Sequence, residues 1–149
     1  MNQRALADKL MDLALLRSRN IAVKWYSSLA VSPRTTSFIR TDKRVWILHA
    51  QEFFENLKRF YFSEDPFKEL QKFLNDSSYI RDILSAEIPV NETVYAIIMM
   101  RRHLWLYAEM QAIFNTALDM YQAVESINRT ILIFDYAVYI IIQKYKEKK

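Results

Sequence analysis

From Ile113 to Tyr145 apolar residues recur by alternate steps of four and three: Ile113, Ala117, Met120, Val124, Ile127, Ile131, Phe134, Val138, Ile141 and Tyr145. No proline or glycine interrupts them, so the stretch predicts one long helix with an unbroken a/d stripe. At 1.5 Å per residue it would run about 45–50 Å, long enough to be the spine of a domain. From Ile131 to Ile142 the residues are apolar almost all round, with Asp135 the single charge. A helix greasy on every side must be covered on every side, which predicts that the rest of the chain wraps it. Length excludes a membrane span, because crossing a bilayer takes about 20 apolar residues and this run falls short.

The preceding chain reads as further helices. The first is expected from Asn2 towards Leu29, with Met11, Leu15, Ala22, Trp25 and Leu29 on one stripe and Ser18 among them. Arg17-Ser18-Arg19-Asn20 marks a bend, and Ser32-Pro33 ends the segment, since the residue before proline avoids helical geometry. Arg34 to Arg40 reads as a loop or single turn. Thr41 is the expected N-cap of a second long helix to Phe62, with Trp46, Ala50, Phe53, Leu57, Phe60 and Tyr61 inward. Asp65 and Pro66 supply a cap and a first helical residue for a short helix carrying Phe67, Leu70, Phe73 and Leu74. Ser78 to Ala86 makes another, closed by Ile88-Pro89. Asn91 is expected to cap a long helix whose face carries Val94, Ile97, Ile98, Leu104, Trp105 and Ala108. Val90 and Tyr95 are spaced for a hydrophobic staple there. That helix ends or bends near Phe114-Asn115.

Composition narrows the class. Glycine is absent from all 149 residues, which disfavours strand hairpins and phosphate-cradling loops that need positive φ. The expectation is therefore a single all-α domain over residues 1–149, a four- or five-helix bundle built around the long C-terminal helix. Cysteine is also absent, so disulfides, thiolate metal sites and cysteine nucleophiles are excluded. The N-terminus lacks the order of a signal peptide, which points to the cytoplasm. A net charge of +4 is mild, and four lysines crowd the end at Lys144, Lys146, Lys148 and Lys149. Nucleic-acid binding is not expected on charge.

Candidate chemistry is sparse. Arg101 interrupts the apolar face of its helix and Asp135 interrupts the spine, so each is expected to neutralise the other across the bundle. A buried ion pair that fixes register is the expected form; a ligand-binding pair and snorkelling heads are the alternatives. The two histidines, His49 and His103, have no metal-ligand spacing and read as partly buried helix residues. No serine, threonine or lysine stands in a nucleophile context, so neither enzymatic activity nor a resident metal or cofactor is expected. Trp25, Met99, His103, Trp105 and Tyr136 are the candidate lining of an adaptable apolar pocket, although core packing accounts for such residues equally well.

Three stretches resemble a known family. They are Leu16 to Leu29 with Trp25; Ile88-Pro89-Val90-Asn91-Glu92-Thr93 leading into Ile98-Met99-Met100-Arg101-Arg102-His103-Leu104-Trp105; and Asn128 to Tyr145 with Phe134-Asp135-Tyr136-Ala137. Together, over Leu13 to Lys146, they resemble the RsbRD-type N-terminal domain of RsbT co-antagonist proteins and of some histidine kinases. The resemblance implies a cytoplasmic helical sensor domain in signal transduction, as in stress response or a two-component system, without activity of its own. It implies a downstream signalling domain or protein partner, but no agreed ligand and no binding residues. In the family an effector follows; this sequence ends at Lys149, as an excised or stand-alone version would.

The resulting expectation is a signal-sensing or interaction module whose C-terminal helix is the output rod. A homodimer through that helix is expected too, because its stripe outruns what the shorter helices can cover. The alternatives are a haem- or small-ligand-binding sensor using His49 or His103 and, third, a DNA-binding regulator.

Overall fold

The computed structural model describes the backbone of residues 3–110 and 117–148 and the side chains of 9–108 and 124–148. Among these residues there are eight helices and no strand: α1 (Gln3–Leu16), α2 (Ser18–Val31), α3 (Thr36–Ile39), α4 (Lys43–Tyr61), α5 (Pro66–Asp76), α6 (Tyr79–Ser85), α7 (Val90–Met110) and α8 (Ala117–Lys148). The all-α expectation holds, with more and shorter elements than a four- or five-helix bundle. Helices α1 and α2 lie across α4, α7 runs beside α2 and α8, and α5 and α6 bridge α4 to α8.

Local sequence explains the breaks. The expected first helix is two, because Arg17 leaves helical geometry at φ −114° and ψ 20°. That break resets the phase: Leu10, Met11 and Ala14 point into the core from α1, while Leu15 is exposed. Helix α4 is capped by Asp42, which accepts from the Arg44 N–H. Thr41 is not the cap: its hydroxyl donates to the Phe38 carbonyl and accepts from the Trp46 indole. Asp65 caps α5 as expected, accepting from the Lys68 N–H with Pro66 behind it. Asn91 does not cap α7, since Val90 is already helical and the amides of Glu92 and Thr93 reach the Pro89 carbonyl. With Val90 inside the helix, the staple geometry is unavailable.

The turn from α6 to α7 shows how a chain without glycine stops a helix. Glu87 adopts φ 57°, its N–H bonds Leu84 O, and Ile88 N–H bonds Ile83 O, both at 3.1 Å. This is the paired closure normally built on glycine. The side chain costs about 1 kcal/mol in that left-handed conformation. Burial of Ile83 and Ile88 offsets it.

The spine helix forms, but it is not wrapped on every side. Its buried face is Ile133, Phe134, Ala137, Ile140 and Ile141, with Ser126 and Thr130 upstream. Of the a/d stripe, Val124 is exposed and Ile127, Ile131 and Val138 are only half-buried. An α-helix drifts about 20° per heptad against a strict seven-residue repeat, so the stripe slides to the edge of the buried face. Leu132 and Tyr139 stay 44% and 55% exposed, leaving an open outer face. Ile113 and the Phe114-Asn115 boundary lie outside the described residues, as do the side chains of Ala117, Met120 and Met110.

Candidate functional site

Among the described residues the helices converge on an internal cavity. His49, Ala50 and, one turn on, Phe53 of α4 form one wall, with Trp25 of α2 and Phe73 of α5 also lining the cavity. Ala137 and Ile141 of α8 and Met100 of α7 close the remaining sides. The free space is about 30 Å³, because aromatic rings occupy the rest. Phe53 sits 5.2 Å from Phe134, 5.7 Å from Phe60 and 6.3 Å from Phe73, centroid to centroid. Trp25 satisfies its buried indole N–H on the Ala96 carbonyl at 2.8 Å.

One polar cluster borders the cavity. His49 Nε2 lies 2.7 Å from Asp82 Oδ2, and the same oxygen accepts from Ser78 Oγ at 3.2 Å. Burial works to raise the Asp82 pKa, but the bonds from His49 and Ser78 and the charge of Arg81 outweigh it and hold the carboxyl low. Tyr79 packs edge-on to the His49 ring at 5.3 Å; burial, and Tyr145 beside it, push its phenol well above the ordinary range. Serine, histidine and aspartate meet here in the wrong order for catalysis. Both Ser78 and His49 bond to Asp82, so the imidazole is not placed to take the serine proton. Among the described residues no group of three or more His, Asp or Glu could hold a metal, and no helix is long and apolar enough to cross a membrane.

Of the five residues expected to line a pocket, Trp25 alone reaches this cavity. Met99 and Trp105 pack half-buried at the margin of the core, and Tyr136 stands edge-on to Phe67 at 5.2 Å. His103 lies in a separate surface groove between α2 and α7, with Nε2 3.0 Å from Ser28 Oγ. Burial, then the charges of Arg102 and Lys24, lower its pKa. Its folded state therefore resists protonation, so stability is whole above the unfolded pKa and declines as pH falls below about 6.5. We expect the urea midpoint to fall between about pH 7 and pH 5, and His103→Gln to flatten that slope. A slope untouched by the substitution would show that His103 does not carry it.

Arg101 and Asp135 do meet, at 3.7 Å, but they are not buried: their side chains are 30% and 61% exposed. They sit on the rim between α7 and α8, where Arg101 reaches water past the apolar face. The cost of breaking a buried pair does not apply. Asp135→Ala should shift stability by no more than about 1 kcal/mol, as exposed pairs do; a larger loss in urea denaturation would show a role beyond the pair.

Two polar joints, one buried and one half-buried, have no local sequence signal. Glu92, 8% exposed, accepts from the Ser37 N–H at 2.9 Å and from the Ser37 hydroxyl, joining α3 to the start of α7. Near the end of α8, the Tyr145 hydroxyl donates to Ile88 O at 2.6 Å and, its proton being used there, accepts from Thr93 Oγ1 at 2.8 Å. Burial raises the Tyr145 pKa, the Thr93 bond offsets part of this, and the Glu92 charge adds to it. The clasp ties the far end of the spine to the α6–α7 turn.

No protein-family model matches this chain, and no curated protein does either. Among solved structures, the globin domain of E. coli DosC, in a ferrous form, superposes with a TM-score of 0.71. The match covers 93% of this chain and 89% of that one at 13% identity. The likeness is one of fold: α1 to α8 have a globin-like arrangement. Globin helices pack around a haem pocket, with a histidine on the iron, so the fit can be tested. Sites for a drug-sized ligand run to about 300–1,000 Å³, and a porphyrin is no smaller; the cavity here offers about 30 Å³. Its one histidine, His49, has Nε2 committed to Asp82, and His103 lies outside it. Neither α5 nor α6 contains a histidine. These residues do not fit a haem.

Proposed function

We propose that this chain is a haem-free, non-catalytic signal-input module of globin-like fold that communicates with a partner through α8. One observation carries the reading: α8 joins the internal cavity to an uncovered surface. Ala137 and Ile141 form part of the cavity wall, while Leu132 and Tyr139 of the same helix stand exposed. Packed interiors do not deform continuously, so a change of rotamer among the aromatic walls displaces α8 as a body. Allosteric output of this kind requires two packings that a ligand or partner binds with different affinity. A cavity of about 30 Å³ takes a water-sized guest or two, so any larger input must repack Trp25, Phe53 or Phe73.

The resemblance to RsbRD-type input domains supports a cytoplasmic sensor acting on a downstream effector. The open outer face supports homodimerisation. Ile98 of α7 is 40% exposed and Leu132 of α8 44% exposed, one turn before Arg101 and Asp135 respectively. Pairing two such faces would hide both and align the two α8 helices.

Two measurements test these statements. Titration with haemin should give no stoichiometric Soret band; a stoichiometric band would overturn the haem-free reading, and its loss in His49→Ala or His103→Ala would identify the ligand. Sedimentation of the whole chain should show a concentration-dependent dimer that Leu132→Glu dissociates. A monomer at the highest concentration would remove the homodimer.

A further inference from the structure

From Leu13 to Thr41 the chain carries Arg17, Arg19, Lys24, Arg34 and Arg40 and no acidic residue. From Thr93 to Ala108 it carries Arg101, Arg102 and His103, again with no acid. The fold sets these segments side by side as α2 and α7. Where they meet, an open groove of about 450 Å³ runs between Ile21, Lys24, Val31, His103, Leu106 and Tyr107. Its floor is apolar, since Ile21 and Tyr107 are buried beneath it, and its rims carry Val31, 84% exposed, and Leu106, 37% exposed. The Lys24 ammonium lies 5.3 Å above the Tyr107 ring, and Arg102 is exposed beside His103. Among the described residues neither Lys24 nor Arg102 has a carboxylate partner. Their field is nonetheless felt in the groove, because both depress the proton affinity of His103 after burial has done so.

We propose that this groove docks an acidic amphipathic helix of a protein partner. Apolar side chains three and four apart would cover Tyr107, Leu106 and Val31, while carboxylates on their flanks meet Lys24 and Arg102. A helix about 10 Å across suits a furrow between two helices. Cations without a carboxylate partner, Lys24 on α2 and Arg102 on α7 beside the groove, select the sign of the partner and steer its approach. A nucleic acid would be drawn by charge spread over a whole face, and the net charge is only +4. An anionic bilayer would favour a protruding apolar surface over a concave one. The site is independent of transmission through α8, so either reading can fail alone.

The test is a display selection from a library of random amphipathic helical peptides against the whole chain, followed by affinity measurement by anisotropy. Enriched peptides should carry Glu or Asp beside apolar residues at helical spacing. They should bind Lys24→Glu/Arg102→Glu at least about tenfold more weakly, two reversed charge contacts being worth roughly that. Lys72→Glu, an exposed position on α5, should bind as the parent does. Both substituted cations are exposed, and circular dichroism confirms that the variants fold. Enriched peptides that are basic or neutral, or that bind the double variant equally well, would overturn the proposal. So would tighter binding of phosphatidylglycerol vesicles or mixed-sequence DNA than of any selected peptide.

Discussion

Replacing Phe134 by alanine should lower the unfolding free energy by about 3–5 kcal/mol, the largest single-residue loss expected in the molecule. Phe134 is 2% exposed and is the ring through which α8 meets the cluster on α4. Its centroid lies 5.2 Å from that of Phe53, which in turn meets Phe60 and Phe73. Deleting the ring removes its transfer free energy and leaves a void, because the cluster has rings on several sides and relaxes only in part. For a chain of this length the midpoint should fall by about 2–4 °C per kcal/mol. Phe134→Leu, which refills most of the volume, should cost well under half as much. The new void opens next to Phe53 and so enlarges the existing cavity. A dry apolar space of that size admits small apolar probes, so benzene should recover part of the lost midpoint in Phe134→Ala and not in the parent. A loss below 1 kcal/mol by urea denaturation would mean that α8 is not held by this ring.

Why that helix was legible in the sequence, and the cavity was not, has a physical explanation. A periodic apolar stripe reports the length and secondary structure of α8, and an aspartate-proline pair reports the start of α5, because both signals are local. Which face of α8 is buried depends on its partners. The strict seven-residue repeat pointed to Val124 and Val138, whereas Ile133, Ala137 and Ile140 turned inward. The interruption at Arg17 was visible as a polar run, but not its consequence, a change of phase that exposes Leu15. Arg101 and Asp135 lie 3.7 Å apart but exposed, because neither helix pattern reveals that the α7–α8 seam lies at the surface. The cavity needs Trp25, His49, Phe73 and Ala137 from four helices, and no single-chain periodicity brings them together. The globin-like arrangement is hidden for the same reason: it is a set of crossings between helices, not a set of residues.

Glu92 is the clearest case of a residue whose importance the sequence concealed, and its removal is the second large effect expected. It reads there as an ordinary acid in the first turn of α7, where it favours the helix dipole. In the fold it is 8% exposed and accepts from both the amide and the hydroxyl of Ser37, while Arg40 donates to that hydroxyl at 3.1 Å. Ser37 is itself 5% exposed, so its N–H loses its partner at a site with little contact with water. Hydrogen bonds to a charged group contribute about 1.5–3 kcal/mol, and an orphaned buried donor costs a further part of its desolvation. Glu92→Ala should therefore destabilise by about 3 kcal/mol, against a few tenths for loss of a favourable charge at an exposed helix start. Glu92→Gln should fall between, since its amide oxygen can accept from the Ser37 N–H while its NH₂ group can only donate towards the hydroxyl. Ser37→Ala removes the hydroxyl and keeps the amide bond. Combined with Glu92→Ala it should thus add less than its own cost, a non-additivity of about 1 kcal/mol in a double-mutant cycle. Strict additivity, or a Glu92→Ala loss within 0.5 kcal/mol of zero by urea denaturation, would mean that the joint between α3 and α7 does not hold the fold.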